Sequence, residues 1–504
     1  MPERLDHRCE NAKTKNGLLL QMAALETEIA QTQAVLLKQQ EEHRELRSQL
    51  NSLSPINQLP GEIKTEIFHR TLGPLTDSVF IEEGKTPLFL GKICQSFRFF
   101  VWSTPTLWTT IRLWLSEARY EAQTDLLLDW LSRTENYPIS FSLGAAEVDS
   151  TWTAHRPPAE ILTLLASFSL QWKEVRFLFP HTAYQCFDAN PGVKKLLPLL
   201  TAATASLSFG RPLDLSMAPQ LSVLHLYRFY PPDILAPWHQ LQELSIDHIG
   251  MNEMCRILHN TPQIIRFSFT QLNPGIPGGY RIIPSASFSV LEHLEYLELE
   301  FEATGSGVSW ILEQVKFPSL REVSLTGPFG STLEETFLLQ IVEPFRSSKL
   351  LEKFTFCNTH WQKPSDNRAF TQVLENIPSV KVLSLDFRKE SSGNEFFIFF
   401  TKEVLQRLWH SPHADILLPN LQHFTYCGST SLTEHMHLFR DVLVYRFRQC
   451  DLQLVDVDSV QRAVSQIKSV NVMSSSHFVM SPDIQEALDS LRRDGLELSI
   501  THHT

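Results

Sequence analysis

The chain has 504 residues, 43% of them hydrophobic, enough for a sizeable core and for more than one domain. Its 44 Lys and Arg against 56 Asp and Glu leave a formal net charge of −12. That balance argues against bulk binding to nucleic acid or to an anionic membrane, since both need clustered cations.

No apolar run of about 18 residues suggests a membrane span. The polar N-terminus has no apolar stretch with a cleavage site behind it, so no secretory leader is expected. The cysteines, Cys9, Cys94, Cys186, Cys255, Cys357, Cys427 and Cys450, are scattered and form no C-x-x-C pair. They read as reduced thiols rather than as a zinc site or a disulfide framework. With no N-x-S/T acceptor in the chain, the expected compartment is the cytoplasm, the nucleus or both.

The first element is a heptad pattern from Leu18 to Leu53. Met22, Ile29, Leu36, His43 and Leu50 occupy one seam position, and Leu18, Leu25, Thr32, Gln39, Leu46 and Leu53 the other. Gln, Glu and Arg fill the flanks, and no proline interrupts the run before Pro55. This spacing predicts a coiled-coil helix over residues 1–55. It serves homodimerisation or pairing with another helix; the alternative is an amphipathic helix folded back on its own domain.

Short helices come next. Leu59-Pro60, then Glu62, Ile63, Ile67 and Phe68, put an apolar face on a helix that starts just after a proline. Ile93-Cys94 and Phe97-Arg98 repeat this on a second and a third helix. So small a unit buries little apolar surface alone and needs the rest of the chain or a partner to cover it. The segment resembles the F-box, closest to that of a large fungal family whose module ends in S-T-P-x-L-W, here Ser103 to Trp108. The resemblance covers residues 56–112. It implies docking on the Skp-type adaptor of a cullin-based ubiquitin ligase through Leu59, Pro60, Ile63, Ile67, Phe68, Ile93 and Phe97. Phe97 stands where tryptophan is commoner, and Gln95-Ser96 replace residues that are usually basic. The competing reading makes these helices only a cap on a solenoid formed by the rest of the chain.

From Glu117 to Arg133 the pattern is helical, and Ile139-Ser-Phe141-Ser-Leu143 alternates as a strand. A helix from Ile161 to Leu170 and a strand from Val175 to Phe179 continue a βα alternation. A unit L-x-x-L-x-L then recurs, as in Leu221/Leu224/Leu226, Leu241/Leu244/Ile246, Ile264/Phe267/Phe269 and Leu294/Leu297/Leu299. Further copies are Leu320/Val323/Leu325, Leu351/Phe354/Phe356, Val380/Leu383/Leu385 and Leu421/Phe424/Tyr426. Weaker ones begin at Trp172 and at Thr204, the latter read as Thr204/Leu207/Phe209. Pro219, Pro262, Pro318, Pro378 and Pro419 each precede a copy. The inner residues of L-x-L share one strand face that no copy can bury alone. The pattern resembles leucine-rich repeats, although the spacing is irregular and the Asn that usually comes after the motif is mostly missing. The resemblance implies an α/β, irregular solenoid over residues 113–504 with a C-terminal cap. Its first strand reads from the P-x-L-W-x-x-I-x-L of Pro105 to Leu113, which would fuse the short helices rigidly to it.

Catalytic patterns are missing: no Walker loop, no dinucleotide fingerprint, no H-E-x-x-H and no G-x-S-x-G. Asp456-Val-Asp458 reads as solvated carboxylates at a strand end, Glu434-His435-Met436-His437 as a polar helix face, and Phe396 to Phe400 as part of a buried helix from Ser391 to His413. His502-His503 reads as an unstructured tail. No metal, no cofactor and no catalytic residue are expected. The residues between and beside the inner leucines should face solvent on the concave side of such a solenoid. They include Glu243, Asp247, Glu298, Glu300, Glu322 and Asp386, with Arg266, Lys353, His225, Tyr227, Tyr296 and His423. The acidic excess suggests a target protein with a basic segment; a solvated face without ligand is the alternative. The combined expectation is a non-catalytic substrate-recognition adaptor, or else an interaction scaffold outside any ligase.

Overall fold

A computed structural model describes residues 3–73, 75, 86–145, 158–178, 196–206, 213–227, 234–247, 251–270, 289–300, 315–327, 344–346, 348–357, 367–386, 402–409, 416–428, 432–448, 464–474 and 480–502, with side chains of the first helix from residue 15 onward. Leu207, Phe209, Asp456, Asp458 and Ser391 to Thr401 lie outside the described residues. Two compact units form: Met1–Arg112 with Leu126–Tyr137, and Leu113–Asp125 with Pro138–Thr504.

The first unit is helical. Helix α1 (Glu3–Ser52) is followed by α2 (Pro55–Gln58), α3 (Gly61–Leu72), α4 (Pro87–Ile93) and α5 (Gln95–Trp102), and by the latter half of α6 (Tyr120–Arg133). Prolines set the starts. Pro55 and Pro87 lie in the first turns of α2 and α4, where an N–H has no partner to lose, and Pro60 caps α3. Thr86 Oγ1 accepts from Phe89 N at 3.2 Å and caps α4. The interior is aromatic. Phe68 meets Phe97 edge-to-face at 4.9 Å and Phe100 at 5.8 Å. Trp108 packs between Trp102 (5.3 Å) and Trp130 (5.1 Å). Both buried indole N–H groups are satisfied, Trp108 Nε1 donating to Val101 O at 2.8 Å and Trp130 Nε1 to Trp108 O at 2.7 Å. Gly91 must lack a side chain, because a Cβ there would lie 2.2 Å from the Trp102 ring. The helix read from Glu117 to Arg133 thus contributes Trp130 to this unit rather than serving the repeats throughout.

The second unit is α/β. Its strands are β1 (Thr110–Leu115, crossing the unit boundary), β2 (Ile139–Ala145), β3 (Trp172–Leu178), β4 (Ala202–Ser206), β5 (Leu213–Asp214), β6 (Val223–Tyr227), β7 (Ile234–Leu235), β8 (Glu243–Asp247) and β9 (Arg266–Thr270). Next in the chain are β10 (Ser289–Val290), β11 (Tyr296–Glu300), β12 (Val315–Lys316), β13 (Glu322–Thr326), β14 (Lys353–Cys357), β15 (Val382–Asp386), β16 (His423–Gly428), β17 (Ser469–Ser474) and β18 (Glu497–His502). Fourteen of them form one sheet in strict chain order, β1-β2-β3-β4-β6-β8-β9-β11-β13-β14-β15-β16-β17-β18. The pairs β5–β7 and β10–β12 stand apart as small parallel sheets.

Register holds along the main sheet. Leu224, Leu244, Phe267, Leu297, Val323, Phe354, Leu383, Phe424 and Val470 align as one buried row. Two residues on, Leu226 to Val472 align as a second. A tight turn sets each copy: Leu221 N donates to Ala218 O at 3.2 Å, Ile264 N to Thr261 O at 3.3 Å and Val380 N to Ile377 O at 3.2 Å. Pro219, Pro262, Pro318, Pro378 and Pro419 take the second position of these turns, where their fixed φ is pre-set. The copy read from Thr204 is out of frame. Leu200, Ala203 and Ala205 are its buried residues, Thr204 aligns with His225, and Pro198 supplies its turn. Alanines too small to stand out in the sequence hid the frame. His502 is no tail: it closes β18 opposite Ser474.

Helices α7 (Ala159–Ser167), α8 (Met251–Asn260), α9 (Asn367–Glu375), α10 (Lys402–Trp409), α11 (Leu432–Arg448) and α12 (Pro482–Arg493) connect consecutive strands. Each turns apolar residues inward at helical spacing, as Ile484, Leu488 and Leu491 do on α12. Arg446 on α11 is only 1% exposed. Its guanidinium donates to Leu408 O (2.8 Å), Leu417 O (2.7 Å) and Leu418 O (3.0 Å), tying α11 to the end of α10 and to the turn before β16. Arg446→Met keeps the bulk but strips these carbonyls of their donor. It is expected to cost about 3 kcal/mol, read as faster native-state amide exchange across Leu432–Arg448. Wild-type exchange rates there would show that the guanidinium holds nothing together.

Candidate functional site

The sequence-predicted site residues fall in both units. In the first, α3, α4 and α5 raise apolar side chains that no described residue covers. Ile63 is 49% exposed and Ile93 56%. Pro60 is exposed, while Leu59 and Ile67 are half-buried. Ile63 and Ile67 are four residues apart on one face of α3. Phe89, four residues before Ile93 on α4, and Phe99 on α5 are exposed as well, Phe99 by 77%. Sequence reasoning missed both; the signal available was the spacing of Phe89 from Ile93 inside a helix started by Pro87.

Phe68 and Phe97 do not belong to this surface. At 2% and 9% exposure they are buried and packed edge-to-face on each other. A docking role read from apolar character alone therefore does not fit these two side chains, because the same character also fills the core. The unusual Gln95-Ser96 pair has a local use, Ser96 Oγ donating to Asn57 Oδ1 at 3.0 Å and so tying α5 to α2.

In the second unit the solvent-facing side of the sheet carries three rows. Parallel in-register strands bring equivalent residues to about 4.8 Å spacing. The first row runs Glu243, Arg266, Tyr296, Glu322, Lys353, Val382 and His423. Opposite charges alternate along it, since like charges directly opposite repel. The middle row holds His225, Ser245, Ser268, Glu298, Ser324, Thr355, Ser384 and Thr425. At the strand ends stand Tyr227, Asp247, Glu300 and Asp386.

The carboxylates found in the sequence are gathered here, and most have partners within the sheet. Lys353 Nζ lies 3.3 Å from Glu322, and His225 Nε2 3.3 Å from Glu243 Oε1. Glu298 Oε2 accepts from Ser268 Oγ at 2.8 Å and from Tyr296 Oη at 3.0 Å. Thr270 Oγ1 donates to Asp247 Oδ1 at 3.2 Å. The Arg266 guanidinium stacks 4.1 Å over the Tyr296 ring. On the row before, Lys381 donates to Glu352 at 2.9 Å and holds its carboxyl below the usual range. The acidic excess is thus largely spent on cross-strand pairs, and the surface is a dense array of donors and acceptors. Among the described residues no group of three or more metal-ligating side chains converges, and no helix is long and apolar enough to cross a membrane.

No protein-family model and no curated protein matches this chain.

Burial, and after it the charge of Glu298, push the Tyr296 phenol up to about 12 from an ordinary 10.0. The neutral phenol is the form that donates to Glu298. Because the folded value is the raised one, the contribution of this bond is complete below 10.0 and disappears as pH rises through about 12. The difference in denaturant midpoint between wild type and Tyr296→Phe is therefore expected to be constant below pH 10.0 and to shrink toward about 12. A difference independent of pH across that window would contradict the pairing.

Proposed function

We propose that this chain is the substrate-recognition adaptor of a cullin-based ubiquitin ligase, with no catalytic residue, metal or cofactor of its own. In this reading residues 56–112, with the short helices from α2 to α5, are an F-box. They dock on the Skp-type adaptor through Leu59, Pro60, Ile63, Ile67 and Ile93, joined by Phe89 and Phe99. Phe68 and Phe97 hold that face from beneath. The observation that carries the proposal is the set of large apolar side chains left exposed on consecutive short helices that close an aromatic core. Isolated exposed leucines are ordinary, but in this reading several large apolar side chains exposed on short helices over a well-packed base are an interface.

The finer fold reading is an irregular leucine-rich-repeat-like solenoid. It is supported by strands that pair in chain order, by the repeated proline turn and by the aligned buried rows. The solvent-facing residues Tyr227, Glu243, Asp247, Tyr296, Glu298, Glu300, Glu322 and Asp386 hold the target protein, and its modification results from proximity, an effective-concentration effect. The working compartment is the cytoplasm or the nucleus. In the competing reading, a scaffold outside any ligase, the Skp-type adaptor does not bind at all.

Pull-down with the Skp-type adaptor separates these. Ile63→Asp and Ile93→Asp are each expected to cost about 2 kcal/mol of binding, roughly 30-fold, with unchanged helical signal. Phe68→Ala should instead cost about 3 kcal/mol or more of folding stability. Adaptor binding that survives both aspartates, or wild type that never binds, would overturn the ligase reading. For the target, Glu298→Lys with Glu300→Lys and Glu322→Lys should abolish recovery of the proteins that proximity labelling finds beside wild type in the native cell. Recovery at wild-type levels would remove the target from this face.

A further inference from the structure

We infer that α1 pairs with α1 of a second copy of this chain as a parallel, in-register coiled coil in which Glu42 of each copy meets Arg47 of the other. The inference goes beyond the ligase reading and does not need it. The seam residues Leu18, Met22, Leu25, Ile29, Leu36, Leu46, Leu50 and Leu53 are all more than half exposed. The fold-back alternative therefore finds no cover among the described residues. A helix running from Glu3 to Ser52 is far longer than one held by a globular core usually is, and its apolar stripe repeats at the coiled-coil period.

The choice of occupant rests on the polar seam positions and on charge. In a parallel in-register pair Thr32, Gln39 and His43 each face their own copy, so no polar group is set against a leucine. Thr32 Oγ1 already donates to Glu28 O at 2.8 Å, so its hydroxyl enters the seam satisfied. Glu42 precedes a first seam position and Arg47 comes after a second, the two flanking positions that meet between parallel chains. Lys38 lies 3.9 Å from Glu42 along the same helix, loose enough to leave the carboxylate available. The equivalent positions nearer the N-terminus pair Gln21 with Glu26 and Glu28 with Gln33, which sets no like charges together. Antiparallel alignments that keep most of the seam place Gln39 against Ile29 or Leu36. They leave Glu42 beside Glu28 or Val35, without a cation. The parallel arrangement also brings the exposed α3–α5 faces of both copies to the same end of the coil, since those helices come directly after Ser52.

The test uses the full-length chain and its mass in solution at graded concentrations. Wild type should be a dimer. Glu42→Lys alone and Arg47→Glu alone should each weaken dimerisation by about tenfold. An equimolar mixture of the two variants, or the double variant, should restore it, because every flanking pair is then again of opposite charge. Both substitutions are on a solvated helix surface and leave the fold intact. A wild-type monomer, variants that dimerise as wild type does, or a Glu42→Lys dimer tighter than wild type would overturn the proposal. Adaptor binding by a monomeric variant would show that the docking reading stands apart from it.

Discussion

A five-residue strand with two inward side chains has no stable existence except beside another strand in the same register, and the second unit is built on that constraint. Ordering such a strand costs about 1–2 kcal/mol per residue, while its buried apolar side chains return about 1.5–3 kcal/mol each. A single copy such as Leu244 and Ile246 with Leu241 before them is close to balance. Strand pairing and the shared core tip it, so each copy relies on its neighbours in the chain. The turn that ends on the first leucine is the local device that sets the frame. Where proline holds the second position of that turn, the chain enters the strand already bent correctly.

The solvent-facing rows derive from the same register. Side chains at equivalent positions are forced to within about 4.8 Å of one another, so the outer rows cannot carry charge at random. Glu243, Arg266, Tyr296, Glu322 and Lys353 alternate or interpose a ring, and Glu298 is satisfied by two hydroxyls. In the proposed reading, a target docking here would exchange existing pairs for new ones rather than neutralise bare acid. That favours selectivity by geometry over affinity from net charge.

The first unit solves a different problem, that of a core too small for its number of short helices. Aromatic rings supply the volume: Phe68, Phe97 and Phe100 on one side, Trp102, Trp108 and Trp130 on the other. With that interior closed, Ile63, Phe89, Ile93 and Phe99 are left outside. The long helix α1 shows the same separation of tasks, its seam contributing nothing to the core of its own unit.

Sequence alone determined what is local or periodic. The heptads of α1, the proline-started short helices, the L-x-x-L-x-L copies and the turns before them were all legible, because each depends on residues within a few positions of one another. Legibility failed where small side chains replace large ones, as at Ala203 and Ala205, which shifted the frame of β4 away from Thr204. It failed too at Arg446, whose buried charge is satisfied by carbonyls from elements distant in the chain. Apolar residues on the short helices looked alike in sequence. Only tertiary packing divided Phe68 and Phe97, buried against each other, from Ile63 and Phe99, left in solvent. Hydrophobicity says that a side chain leaves water when it can, and the three-dimensional arrangement decides whether its own chain or another protein provides the cover.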